Sequence, residues 1–161
     1  MPRERKEDSP IVKKAATIFK QVEALIKAIP EDDDYLQSQA ELMMSDSMMI
    51  CAKIAGAEFG GLYSIKMQNA AIIRNCAMDL YVFVGGLRYN EGFTLHDYVD
   101  IIRKEIDEFR LLFIEWVASF DRSDYIWDDW ELFNPPGAIP PNDNDYIDPI
   151  NWDDFDVNDD V

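Results

Sequence analysis

Residues 95–120 read LHDYVDIIRKEIDEFRLLFIEWVASF, and their spacing decides the fold. Leu95, Val99, Ile102, Ile106, Phe109, Phe113, Trp116 and Phe120 recur in steps of four and three without a miss. An α-helix turns once in 3.6 residues, so such steps hold one apolar stripe against a neighbour. A strand would need an alternation of period two, which this stretch lacks.

The same period extends upstream. Ile11, Ala15, Ile18, Val22, Leu25 and Ile29 form one seam, which Val12, Phe19 and Ile26 widen. Ser9-Pro10 predicts its start, with a capping hydroxyl followed by a residue that needs no N–H. Pro30 stops it. The acidic run at 31–34 then places negative charge at the next helix N-terminus, where the macrodipole favours it. Leu36, Ala40, Met43, Ile50, Ile54 and Ala57 share a face of the second helix, with Ser47 interrupting, and Gly60-Gly61 closes it. Ala70, Ile73, Ala77, Leu80 and Val84 keep register along a third, which Gly85-Gly86 is expected to terminate. Thr94 and Asp97 resemble a capping box for the fourth. Four helices of similar length with short connections predict an all-α fold, an up-down-up-down antiparallel four-helix bundle over residues 9–120. Residues 1–8 read as a disordered N-terminus and 121–161 as an extended acidic, aromatic tail.

Charge divides at the same place. The formal net charge is −17, and residues 121–161 carry 13 acids against one base, Arg122. Such acidity opposes direct contact with nucleic-acid phosphates and favours basic partners. The charged opening MPRERKEDSP does not read as a signal peptide, and no apolar run approaches the ~18 residues of a membrane span. Cys51 and Cys76 fall at different levels of the second and third helices, too far apart for a disulfide. Reduced thiols and a cytoplasmic location are the expectation.

Residues 48–87, MMICAKIAGAEFGGLYSIKMQNAAIIRNCAMDLYVFVGGL, carry a family likeness. A stretch of small residues ends in glycines, and a long third helix, a loop and an amphipathic fourth helix follow. This resembles the bacterial four-helix-bundle proteins that include the ribosomal-RNA intervening-sequence proteins and the accessory protein of diversity-generating retroelements. The resemblance spans about residues 11–120. It implies a small, non-enzymatic, often oligomeric protein, with a ring of five in the retroelement accessory protein. That protein is basic and meets a reverse transcriptase and RNA. This chain is acidic, so the nucleic-acid role does not carry over.

Little in the sequence points to chemistry. One histidine, His96, cannot supply a di-iron bundle, which needs one on each of two helices. No metal ligands, cofactor or catalytic residues are expected. Cys51 and Cys76 lie among apolar residues and read as small core side chains. Glu105 and Glu108, one turn apart, read as a solvated face.

Surface features are more telling. Met44 and Met48 add flexible thioethers beyond what one core face of the second helix needs. Tyr81, Val82 and Phe83 fill directions on the third helix that a single bundle leaves wet. These five are the expected oligomer interface. In the tail, Trp127, Trp130, Leu132 and Phe133 are expected to fold back as a lid. Farther on, Tyr146, Ile147, Trp152 and Phe155 alternate with Asp153, Asp154 and Asp156. Aromatics of that kind anchor and aspartates steer, so these seven are the expected contact for a basic partner protein. The function expected is an oligomeric scaffold or adaptor that recruits a partner through its tail. The competing reading is a nucleic-acid mimic that regulates or inhibits a basic nucleic-acid-binding protein.

Overall fold

The computed structural model describes residues 8–58 and 60–142. It holds four α-helices and, among the described residues, no strand. They are α1 (Pro10–Ala28), α2 (Asp34–Glu58), α3 (Tyr63–Gly86) and α4 (His96–Ala118). A short 3-10 turn, Leu87–Tyr89, follows α3. Helix α1 packs on α2 and α4, and α3 packs on the same two.

The seams become the core. All six positions of the α1 seam are buried, as are the seven of α2 from Leu36 to Ala57 and the five of α3. On α4, Val99, Ile102, Ile106 and Phe109 are buried. Ser47, the polar break in the α2 seam, is buried too and donates its hydroxyl proton to the Met44 carbonyl at 2.9 Å. That bond spares the core an unsatisfied hydroxyl. Toward its end the α4 seam departs from expectation. Phe113 and Trp116 are half-buried, and only Phe120 closes over again. Phe109, Phe113, Trp116 and Phe120 form a ladder of rings with successive centroids 6.1, 5.9 and 4.7 Å apart.

Helix ends depart more often than helix faces. Ser9 sits at the α1 N-cap, but its hydroxyl makes no capping bond and donates instead to Glu58 Oε1 at 3.3 Å. The same oxygen accepts the Trp116 indole N–H at 3.1 Å, so one carboxylate ties together α1, α2 and α4. Asp33 caps α2, accepting the Leu36 N–H at 2.9 Å. No Thr94–Asp97 box forms; α4 starts behind Leu95, which has no side-chain cap and packs against the core instead. Gly60 and Gly61 have φ of 101° and 122°, values that need glycine in the turn. Helix α3 ends at Gly86, as the glycine pair predicts, but neither glycine takes the left-handed conformation of a glycine cap, and a 3-10 turn follows directly. Gly85 makes room: a Cβ there would stand 3.2 Å from the Arg103 guanidinium. That guanidinium stacks 3.8 Å from the centre of the Tyr81 ring.

Glu105 and Glu108 are a clamp rather than a solvated face. Lys14 Nζ of α1 lies 2.7 Å from Glu105 and 2.6 Å from Glu108 of α4. The hydrogen bonds to Glu105 and then Glu108 raise the lysine pKa above its ordinary 10.5, and the bond from Lys14 lowers that of Glu108 below 4.5.

The stretch Tyr63–Tyr89 is long and apolar enough, by length and composition, to cross a bilayer. The sequence reading, which counted uninterrupted apolar runs, did not single it out. It carries Lys66, Arg74, Asp79 and Arg88, and one face belongs to the core just described.

Two measurements check this packing. Phe109→Ala should cost ~3–5 kcal/mol in denaturant unfolding, and Phe113→Ala, at a half-buried ring, clearly less. Equal losses would put both rings at one depth. For the clamp, a depressed carboxylate contributes stability that is present above its ordinary pKa and lost as pH falls through the folded value. A raised lysine contributes stability that is present below 10.5 and lost as pH rises through its folded value. The thermal stability gap between wild type and Lys14→Met should therefore be widest between these limits and narrow outside both. A gap independent of pH would mean the ion pairs are not its source.

Candidate functional site

Helices α3 and α4 do not close on each other along their length. Between them lies a groove of about 450 Å³. One wall is Arg74, Met78, Tyr81 and Val82 of α3, and the other includes Arg110 and Ile114 of α4. Its floor is core: Ala77, Ile106 and Phe109. Its rims stay apolar in water, with Met78 50%, Val82 66% and Ile114 55% exposed. Residues 74, 78, 81 and 82 fall on one side of a helix by its 3.6-residue turn, which is why they line up. Asp107 is the acid in the lining, against the two arginines. Neither Arg74 nor Arg110 has a carboxylate within ion-pair distance among the described residues.

The groove gathers two of the five expected interface residues. Tyr81 and Val82 line it. Phe83, one step of 100° further round, is half-buried against the core. Met44 is half-buried and Met48 55% exposed on α2, outside the groove. The contribution of α4 was missed from sequence. Ile114 lies off the seam, and an apolar residue on the wet side of an amphipathic helix was the available signal.

The segment after α4 also differs from the expected lid. The Tyr63 N–H at the start of α3 donates to the Asp124 carbonyl at 2.7 Å, and Tyr125 packs beside Tyr63 and Phe120. Asp128 organises a loop: its carboxylate accepts N–H bonds from Trp130, Leu132 and Phe133 at 3.0–3.1 Å. The Phe133 N–H does most to hold this carboxyl below its ordinary pKa. Asn134 bonds both ways with the Asp128 backbone, accepting at 2.8 Å and donating at 3.0 Å. Glu131 completes the turn with φ of 53°, in the left-handed region. Trp130 is thereby held 91% exposed and Leu132 71% exposed, while Trp127 and Phe133 are half-buried. The distal contact set, Tyr146, Ile147, Trp152, Asp153, Asp154, Phe155 and Asp156, lies outside the described residues.

Both thiols are free and half-buried. Burial pushes Cys51 up, and burial followed by the Asp46 and Asp79 charges pushes Cys76 to about 11. Asp46 is itself raised, first by burial and then by Asp79, against the Cys76 hydrogen bond that pulls it down. A nucleophilic cysteine needs the opposite setting, a cation or helix N-terminus that favours thiolate. His96 is exposed at the start of α4, its ring edge-on to Phe93 at 5.4 Å. Among the described residues no three His, Cys, Asp or Glu side chains converge as a metal ion would require.

Compared with known proteins, the chain matches no family model, no curated protein and no solved structure. The groove and the displayed loop are therefore interpreted from their own chemistry.

The thiol environment is directly measurable. At pH 8, iodoacetamide should alkylate Cys76 at least ~10-fold more slowly in the folded chain than in urea, because the thiolate is the reacting form. Asp46→Asn should speed Cys76 and leave Cys51 unchanged. Fast labelling of folded Cys76 would refute the buried, acid-flanked thiol.

Proposed function

We propose that this chain is a non-enzymatic, self-associating scaffold or adaptor that recruits a basic partner protein through its acidic C-terminal segment. The observation that carries the reading is the α3–α4 groove, whose apolar rims at Met78, Val82 and Ile114 stand in water in the single chain. A monomer gains nothing from such a groove, and a second molecule buries it. The same logic extends to the tail. Its aspartates are interleaved with Tyr146, Ile147, Trp152 and Phe155, which solubility alone does not call for.

The architecture behind this function is an up-down-up-down antiparallel bundle. Four hydrogen bonds support it. Ser9 at the start of α1 and Trp116 near the end of α4 meet Glu58 at the end of α2. Tyr63 at the start of α3 meets Asp124 just past α4. Asn90, after α3, donates to Asp33, before α2, at 3.3 Å. The α1–α2 and α3–α4 connections thus lie at one end, and the α2–α3 connection lies at the other with the start of α1 and the end of α4. With reduced thiols, a cytoplasmic setting fits the proposal.

Light scattering of the full chain at tens of micromolar should give a multiple of the chain mass. A monomer would remove the self-association half. For recruitment, Trp152→Ala and Phe155→Ala should each weaken capture of one defined protein by more than ~1 kcal/mol, acting mainly through faster dissociation. Capture of many basic proteins, displaced by DNA or RNA and indifferent to both substitutions, would favour the nucleic-acid mimic instead.

A further inference from the structure

Among the described residues the chain displays an apolar knob and an apolar groove that are complementary in charge. Trp130 and Leu132 are exposed on the Asp128 loop, with Glu131 exposed between them. The α3–α4 groove has exposed apolar rims and offers Arg74 and Arg110. We propose that the Trp130–Leu132 knob of one copy seats in the α3–α4 groove of the next.

Three observations fix the occupant. First, the knob does not fill its own groove, since Trp130 is 91% exposed. Second, it is not free to swing there. Five hydrogen bonds through Asp128 and Asn134 set the loop, and the Asp124 carbonyl and Tyr125 pin its base to the start of α3. Third, the exposed Glu131 carboxylate beside the indole is opposite in charge to Arg74 and Arg110 beside the groove, and neither arginine has a carboxylate within ion-pair distance among the described residues. A rigid loop that already presents its anchor also loses little freedom on binding. Tryptophan is the side chain most enriched at such contacts.

The contact joins unlike surfaces, so it is heterologous: each copy gives a knob and receives one. That distinguishes it from a two-fold dimer in which like faces meet. The inference rests on the self-association proposed above and names the residues that would carry it.

The test uses three full-length variants, each checked for unchanged helical circular dichroism. Trp130→Ala lacks the knob. Val82→Glu and Arg110→Glu each spoil the groove, one by placing an acid on its apolar rim and the other by reversing its charge. By sedimentation velocity, Trp130→Ala and either groove variant should each associate at least ~10-fold more weakly than wild type. A one-to-one mixture of Trp130→Ala with a groove variant should then form a dimer that grows no further. One partner keeps a working groove and the other a working knob, so a single contact is restored. If Trp130→Ala assembles like wild type, or if the mixture stays monomeric, the knob-in-groove contact is wrong. Assembly lost on Trp152→Ala and Phe155→Ala but kept on Trp130→Ala would assign the groove to the distal tail and equally overturn it. A monomeric wild type would sink self-association itself, an outcome distinct from a wild-type oligomer that ignores Trp130.

Discussion

A helix in a bundle of four can turn only part of its circumference to the core. Everything else in this molecule follows from how each helix meets that limit. Helix α1 keeps its seam buried throughout, and the Lys14 clamp with Glu105 and Glu108 ties it to α4. Helix α3 exceeds the limit. Its seam from Ala70 to Val84 is buried, yet Met78 and Val82 remain outside. Between α3 and α4 lies the groove, with Met78 and Val82 on one rim and Ile114 on the other. The surface proposed to be functional would then be a by-product of giving one helix more apolar residues than a single bundle can cover.

Most of the fold was legible because burial within a helix follows a period. The seams named from sequence in α1, α2 and α3 are buried at every position. The failures share a cause: they depend on contacts distant in sequence. Ser9 looked like a cap, but a carboxylate 49 residues away takes its hydroxyl proton. The end of α3 at Gly85-Gly86 was legible, but the space Gly85 leaves for Arg103 of the facing helix was not. Glu105 and Glu108 looked solvated because Lys14 lies more than 90 residues away. The site was half visible for the same reason. Excess apolar girth flagged Tyr81 and Val82, whereas the part played by Arg110 and Ile114 depends on how far two helices stand apart. The local signal in "DDWEL" went unread as well. Asp128 can gather three backbone N–H groups only when the chain turns back on it, and a composition-based reading sees there only an acid among aromatics.

Charge organises the surface at longer range. A chain with 32 acids and 15 bases repels copies of itself unless its few cations are well placed. Lys14 is used inside the bundle, and Arg103 lies flat on Tyr81. Arg74 and Arg110 remain beside an apolar floor, where a neighbour excludes water and strengthens any charge pair made there. In the proposed contact, background repulsion would work in favour of selectivity, since contacts that fail to bring acid to these arginines would be penalised.

The bond from the Tyr63 N–H to the Asp124 carbonyl also sets an order of events. It closes a loop that contains all of α3 and α4. Closing it early would cost chain entropy before any packing offsets the loss, so it forms after those two helices have docked. The segment past Phe120 is tied to the start of α3 by that bond and by the Tyr63–Phe120 cluster, while the helices share a continuous core. The Asp128 loop closes its five bonds within residues 128–134, so its shape does not depend on the anchor that fixes its position.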